Sequence, residues 1–167
     1  MFGCTDTYYY PNWSRTALVL FDTWKDSLSA RELAIENYGE TSTYVPGEFF
    51  RRELPGILSA IKPVQELLTA VIVDGYVWLD DCGRKGLGAI LYEALDRRIK
   101  IIGVAKTKFA GGGGIEVFRG KSARPLIVTA AGLCVEDAAK YVQSMAGAHR
   151  VPTLIRRADH VSRHGLH

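Results

Sequence analysis

The sequence predicts an α/β domain built on a mixed β-sheet. Its first part groups β-branched and aromatic residues into short strands, whereas its later part alternates apolar strands with amphipathic helices. Three strands followed by helices that connect further strands are typical of an antiparallel meander extended by parallel strands. With 167 residues and no linker or internal repeat, the chain is expected to form a single domain over residues 1–167.

Three strands are predicted in the first part of the chain. Residues 2–10 are rich in Thr and Tyr and end at the turn pair Pro11-Asn12. Residues 16–21 form a continuous apolar run, and residues 32–36 alternate in the manner of a strand. Because the connections are short, we expect these strands to form an antiparallel meander.

The middle of the chain changes from strands to helices. Apolar residues recur at helical spacing over 47–61, and Pro55 predicts a kink in this helix or a start near it. Residues 67–73 form an uninterrupted run rich in β-branched residues, which predicts a central strand covered on both faces. This strand is expected to end at Asp74-Gly75.

The last part of the chain contains a glycine run and a predicted hairpin. Gly111–Gly114 lacks the Gly-Lys-Ser/Thr ending of a phosphate-binding loop, so we interpret it as a mobile loop. Segments 115–118 and 125–129 predict a hairpin at the edge of the sheet. The remaining predictions are a strand over 99–105 and helices over 87–95, 135–145 and 154–163.

Composition and charge restrict the class of protein. The chain is 47% hydrophobic and 23% charged, as is usual for a soluble globular protein. It has no apolar run near the ~20 residues that span a bilayer and no signal-like start, so we expect no membrane partner and a cytoplasmic location. Three cysteines without metal-ligand spacing indicate free thiols. The net charge of +3 permits a nucleic-acid partner without requiring one, and the oligomeric state is not predicted.

Several ionisable residues are candidates for a metal site. Asp74 follows a buried strand, where ligands bind in α/β sheets, although Asp-Gly is also a common turn pair. Asp6 lies within the first strand, where an acid is unfavourable unless it faces water or a cation. Glu53, Lys106 and Asp159 are each also compatible with an exposed surface position. If folding gathers these carboxylates, a divalent cation would neutralise their repulsion.

Five short segments occur in an order that is characteristic of one enzyme family. They are Tyr44-Val45-Pro46-Gly47, Arg52-Glu53-Leu54-Pro55, Val73-Asp74-Gly75, Ile102-Gly103-Val104-Ala105-Lys106 and Arg157-Ala158-Asp159. As an ordered set they resemble endonuclease V. The resemblance runs through nearly the whole chain and is strongest between Tyr44 and Lys106.

This resemblance implies a ribonuclease H-like fold and a nuclease that uses Mg²⁺, with Mn²⁺ as an alternative. It implies cleavage of DNA or RNA at the second phosphodiester bond 3′ to a deaminated adenine. By matching motifs, the implied metal ligands are Asp6, Glu53, Asp74 and Asp159, and Lys106 would support the reacting phosphate. The implied substrate-binding residues are Tyr44 as an aromatic wedge, Gly75 near the base pocket, Pro46, Gly47, Arg84 and Lys85.

Two departures from the family pattern leave other functions open. The family follows the strand-end Asp-Gly with His-Gly-x-x-His-Pro-Arg, whereas this chain has residues 76–82 with the acidic pair Asp80-Asp81. The usual Gly-His after the late strand is replaced by Ala131-Gly132. One alternative is a nucleic-acid-binding module of the same fold with weakened catalysis. Another is a ribonuclease H-like nuclease of other specificity.

Overall fold

A computed structural model describes residues 1–38 and 50–166. Within these ranges, seven strands form one sheet that is flanked by helices. The elements in chain order are β1 (Phe2–Tyr9), β2 (Trp13–Phe21), β3 (Arg31–Tyr38), α1 (Phe50–Ile61), a 3-10 helix (Lys62–Leu67), β4 (Ala70–Asp74), α2 (Leu87–Ala94), β5 (Lys100–Ala105), β6 (Ile115–Val117), β7 (Leu126–Ala131), α3 (Val135–Ser144) and α4 (Thr153–His164).

The sheet is mixed, as the sequence predicts. Its strand order is β3-β2-β1-β4-β5-β7-β6. The first three strands form the antiparallel meander, and β1, β4 and β5 are parallel to one another. The expected hairpin is confirmed, with β6 at the edge of the sheet and antiparallel to β7.

The direction of β7 differs from a simple continuation of the parallel strands. It runs antiparallel to β5, with Ala105 opposite Ile127. The described segment between the two strands contains a short strand but no helix, and parallel neighbours need a crossover connection that is usually a helix. The chain therefore re-enters the sheet near the end at which β5 finishes. The finer expectation of a ribonuclease H-like topology stays a prediction.

The central strands are covered on both faces. Val71 and Val73 of β4 belong to a core that includes residues of α1 and α2, whereas Ile72 belongs to a core that includes residues of α3 and α4. This alternation confirms the expected two-sided burial of β4. The strand is shorter than its apolar run, because Leu67 ends the 3-10 helix and is 54% exposed.

Two further features concern the helices. Pro55 lies inside α1, so the helix does not begin there, and α1 is described from Phe50 onwards. None of the helices in the described ranges combines the length and the apolar character that a membrane crossing requires.

The chain that follows Asp74 folds back closely over β5 and β7. The Val77 amide donates a hydrogen bond of 2.8 Å to Thr129 Oγ1. A Cβ atom at Gly103 of β5 would lie 2.6 Å from the Gly75 carbonyl oxygen and 2.8 Å from the Val77 nitrogen. Only glycine leaves room for this close backbone approach, which fixes the exit of β4 at Asp74.

The Gly103→Ala substitution is therefore expected to destabilise the protein by about 1–3 kcal/mol, because backbone atoms must move to admit the methyl group. Urea unfolding followed by circular dichroism measures this loss. The matched control is Gly3→Ala in β1, where the nearest atom is the mobile end of the Leu18 side chain at 2.8 Å. Equal losses for the two variants would contradict the backbone argument.

Candidate active site

The carboxyl ends of the parallel strands β4 and β5 lie beside the middle of β1, which continues past them. The register pairs Thr5 with Val73 and Asp74 with Val104. Asp6 of β1 therefore lies beside Asp74 of the neighbouring strand β4. Lys106 comes directly after β5. Strand ends of this kind form the crevices in which α/β sheets bind ligands.

Helices on the two faces of the sheet complete this edge. Glu53 comes from α1, which packs on one face, and Asp159 comes from α4, which packs on the other. One cavity of about 340 Å³ is lined by all five of the acidic and basic candidates, namely Asp6, Glu53, Asp74, Lys106 and Asp159. Folding thus brings together residues that lie up to about 150 positions apart in the chain.

Three of the four carboxylates accept a hydrogen bond from a neighbouring side chain. Lys106 Nζ donates a hydrogen bond of 2.6 Å to Asp74 Oδ2, and both side chains are about two-fifths exposed. Ser162 Oγ donates to Asp6 Oδ2 at 2.5 Å. Arg163, one turn beyond Asp159 on α4, donates from Nε to Asp159 Oδ1 at 2.9 Å.

Burial and mutual repulsion shift the pKa values of two acids upward. Burial raises the pKa of Glu53 to about 8, and the charges of Asp6 and Asp74 add to this effect. Burial also raises the pKa of Asp6; the hydrogen bond from Ser162 opposes this rise, while Asp74 and Asp159 reinforce it. Glu53 is therefore largely protonated at neutral pH, which removes one negative charge from the cavity.

The neighbouring carboxylates favour the charged form of Lys106. Burial disfavours its charged form, but the hydrogen bond and charge of Asp74, together with the charges of Asp6 and Asp159, outweigh burial and raise the pKa of Lys106. Arg150 fixes the backbone at this point, because its Nη2 donates to the carbonyl oxygens of Lys106 and Pro125. The cavity thus contains a permanently charged ammonium group on an anchored strand end.

The donor set suits a hard divalent cation. The cavity contains carboxylate oxygens and no cysteine or histidine among its described lining residues, and such oxygens are the ligands that Mg²⁺ and Mn²⁺ prefer. In the conformation observed, no three His, Cys, Asp or Glu side chains of the described residues are placed to hold one ion together. The charge and donor chemistry of the cavity therefore fit a cation. In this structure, however, Asp74, Asp6 and Asp159 accept hydrogen bonds from Lys106, Ser162 and Arg163, respectively. The metal-ligating roles stay a prediction.

The predicted substrate-binding residues have different locations. Gly75 follows Asp74 directly and has a φ of 137°, and no described atom lies within 4 Å of a Cβ built there. Arg84 and Lys85 are not among the described residues that line the cavity. Arg84 lies 3.5 Å from Asp80, and Lys85 lies 2.8 Å from Glu93. The remaining three predicted residues, Tyr44, Pro46 and Gly47, lie outside the described residues.

Asp80, the first residue of the acidic pair Asp80-Asp81, has a structural role. Asp80 Oδ1 accepts hydrogen bonds from the backbone amides of Cys82 and Arg84, each at 3.0 Å. Asp80 therefore closes the turn after β4. It does not line the carboxylate cavity among the described residues.

A second and larger cavity adjoins the first and was not predicted. Its volume is about 920 Å³, and it shares Asp6, Asp74, Lys106 and Asp159 with the smaller cavity. Basic residues of α4 and of the preceding segment line its other side, namely His149, Arg150, Arg156, Arg157, His160, Arg163 and His164. Basic residues that recur every three or four positions over 156–164 are the signal that predicts such a helix face.

Comparisons with known proteins identify the fold. No protein-family model matches the chain, and no curated protein sequence does. Solved structures of endonuclease V match along 97% of this chain: the human protein (TM-score 0.78, 21% identity, 82% of that chain covered) and the Bacillus subtilis protein (TM-score 0.80, 17% identity, 78% covered).

The Ciona intestinalis protein, in complex with a 24mer DNA containing an inosine followed by a ribo-adenosine, matches with a TM-score of 0.79 at 18% identity over 97% of this chain and 83% of that chain. At these identities the similarity establishes a shared fold. It confirms the resemblance to endonuclease V at the level of the fold, while the ribonuclease H-like label stays a prediction.

The raised pKa of Glu53 predicts a pH-dependent cost in stability. Its pKa is about 8 in the folded protein and near its ordinary value of 4.5 in the unfolded chain, so between these values only the unfolded chain releases the proton. Stability therefore falls as pH rises from about 5 to 8. Glu53→Gln should match the wild type near pH 5 and exceed it at pH 8.5 by at most a few kcal/mol.

Urea unfolding at both pH values, without divalent cations, measures this difference. The control variant is Glu66→Gln, which changes an exposed glutamate in the 3-10 helix. A difference between Glu53→Gln and the wild type that does not change with pH would show that Glu53 is not buried among like charges.

Proposed function

We propose that this protein is a divalent-metal-dependent endonuclease that hydrolyses a phosphodiester bond 3′ to a deaminated purine, hypoxanthine in DNA or inosine in RNA. The observation that carries the proposal is the convergence of Asp6, Glu53, Asp74 and Asp159 with Lys106 in one cavity. The shared fold with endonuclease V structures, one of them in complex with inosine-containing DNA, supports it. The proposed cofactor is Mg²⁺ or Mn²⁺, and the proposed partner is nucleic acid.

The four acids would hold the cation. Asp6 and Asp74, on adjacent parallel strands, would be the central ligands, and Glu53 and Asp159 would complete the shell from the two flanking helices. When bound, a divalent cation neutralises phosphate charge and acidifies a water molecule that can attack phosphorus. Positive charge in the cavity lowers the pKa of Glu53, so Glu53 would release its proton as it becomes a ligand.

Lys106 would serve the reacting phosphate. It is hydrogen-bonded to Asp74 in the structure, and it becomes available to a phosphate oxygen once Asp74 is engaged elsewhere. Its raised pKa keeps it charged, and its backbone is anchored by Arg150. A fixed positive charge at this position stabilises the negative charge that accumulates in the transition state.

Base recognition would take place beside Asp74. The open space at Gly75 suits an extruded base, and extrusion costs a few kcal/mol that an inserted aromatic ring recovers in part. Tyr44 is the proposed ring, with Pro46 and Gly47 in the same segment. Arg84 and Lys85 are proposed to meet the nucleic-acid backbone farther from the reacting bond.

A second candidate function is a binding module without efficient turnover. It is favoured by the pairing of Asp74 with Lys106 at 2.6 Å and by the replacement of the family histidines at 76–82. Both candidates predict binding of nucleic acid, and only the enzyme predicts turnover that depends on Asp74.

Asp74→Ala is expected to reduce cleavage of an inosine-containing oligonucleotide by at least about 10²–10³-fold, because a central ligand and the partner of Lys106 are lost together. Gel-based assays with inosine in single- and double-stranded DNA and RNA, in Mg²⁺ or Mn²⁺, measure the rate. The matched control is Asp137→Ala, which removes an exposed aspartate paired with Lys140 on α3. Circular dichroism checks that both variants remain folded.

The outcomes separate the candidates. Binding without cleavage, unchanged by Asp74→Ala, would establish the binding module instead of the enzyme. Cleavage of mismatched or branched DNA in preference to inosine would show a nuclease of other specificity.

Divalent cations are expected to stabilise the protein more at pH 8 than at pH 6, because Glu53 must lose its proton to become a ligand. At a cation concentration of 100 times Kd the gain is about 2.7 kcal/mol. Thermal unfolding with and without MgCl₂ measures it. Asp6→Asn should abolish most of the gain and Asp137→Asn should retain it; a gain that survives Asp6→Asn would contradict the proposed ligand set.

A further inference from the structure

The face of the sheet that carries Asp6 continues beyond the cavity as a row of aromatic side chains. Side chains alternate along a strand, so Tyr8 lies on the same face as Asp6, and the ring of Tyr10, the residue after β1, lies 5.0 Å from the ring of Tyr8. Directly opposite residues in antiparallel strands share a face, and the register places Trp13 opposite Tyr38. The Tyr10 amide donates a hydrogen bond of 2.8 Å to the Trp13 carbonyl oxygen, which brings the three strands together at this end.

Three of these rings stack on one another. The ring centroids of Tyr10 and Trp13 are 3.8 Å apart with an interplanar angle of 4°. Those of Trp13 and Tyr38 are 5.7 Å apart at 21°. Tyr38 ends the row and is 75% exposed, and its hydroxyl donates to Glu36 Oε2 at 2.5 Å.

Helix α4 connects this row to the cavity. Its last turn places the Arg163 guanidinium 4.7 Å from the centre of the Tyr8 ring, and Tyr10 Oη donates to the Arg163 carbonyl oxygen at 2.5 Å. Arg163 also lines both cavities. Because α4 ends at His164, the stacked rings lie just past the helix, and Arg163 links them to the cavity.

The chemistry of the row favours bases over phosphates. Arg15 lies 4.8 Å from the centre of the Trp13 ring, but Glu36 neutralises it through an ion pair of 2.7 Å. What the row offers to a ligand is therefore aromatic surface with little net charge. Aromatic rings bind unpaired bases by stacking, and this binding tolerates any sequence because every base has a π-face.

We propose that Tyr10, Trp13 and Tyr38 form a stacking platform for unpaired bases of the nucleic-acid strand that flanks the reacting phosphodiester. Strand geometry places Tyr38 roughly 17 Å from Asp6, which corresponds to a few nucleotides. The inference rests on the proposed function for its ligand. It adds a second contact with the same strand, outside the cavity.

The chain contains a matched control for this platform. Tyr141 of α3 stacks on Trp24 with centroids 4.8 Å apart and an interplanar angle of 2°, and it is 38% exposed. Trp24 contacts Phe2 at the start of β1, so this pair lies at the end of β1 opposite to Tyr10. It has the same ring chemistry at the far end of β1, away from Arg163.

The first test measures binding of a fluorescein-labelled single-stranded DNA that contains one inosine, by fluorescence anisotropy. EDTA is present so that the DNA is not cleaved during the measurement. Tyr38→Ala is expected to weaken binding roughly 5- to 100-fold, as the loss of one base–aromatic stack does. Tyr38→Phe and Tyr141→Ala should bind like the wild type. The slope of log Kobs against log salt should not change, because no phosphate contact is lost.

The second test replaces the bases of this DNA with abasic sites, one position at a time. At the position stacked on Tyr38, the abasic site should weaken binding by the wild type and have no further effect on Tyr38→Ala. Circular dichroism and urea unfolding check that Tyr38→Ala is folded. Three outcomes would each overturn the platform. The losses of binding caused by Tyr38→Ala and by the abasic site could be additive at every position, Tyr38→Ala and Tyr141→Ala could cause equal losses, or the wild type could fail to bind.

These outcomes are distinct from failure of the proposed function. Cleavage that persists with no effect of Tyr38→Ala overturns the platform alone. If the abasic site and Tyr38→Ala cause non-additive losses of binding at one base position, but the oligonucleotide is never cleaved, the platform is supported and the enzyme is rejected.

Discussion

Repulsion between carboxylates at one edge of the sheet is the constraint on which the site depends. The parallel register of β1 and β4 places Asp6 of β1 beside Asp74 at the end of β4, and α1 and α4 add Glu53 and Asp159 to the same cavity. Burial then raises the pKa values of Glu53 and Asp6. An arrangement that costs stability in this way is typical of a functional site, because nothing in the packing of the core requires it.

The structure relieves this repulsion without removing it. Lys106, Ser162 and Arg163 each donate a hydrogen bond to one carboxylate, while Glu53 keeps a proton. Lys106 and Arg163 can be displaced, since both are partly exposed, whereas Ser162 is buried. The pairs therefore form a resting arrangement that a cation and a phosphate would exchange for stronger ones.

The surroundings of the cavity suit the two chemical parts of a nucleotide, its phosphate and its base. The basic face of α4 and the preceding segment form one wall of the larger cavity, where phosphates would be favoured. The aromatic row formed by Tyr10, Trp13 and Tyr38 continues from the other side of Arg163, where bases would be favoured. Asp80, which stands where the family has a basic or neutral segment, closes a turn instead of facing the carboxylates.

Local patterns in the sequence determined the strands and helices and pointed to Asp74, because apolar runs, alternation and strand-end acids need no knowledge of distant residues. Only the tertiary structure decided the reversed direction of β7, the hydrogen bond of Ser162 to Asp6 and the protonation of Glu53. The same holds for the aromatic row, whose rings come from β2, β3 and the residue that follows β1. These features depend on register and burial, which arise from contacts between segments far apart in the chain, and the pattern within any one segment does not contain them.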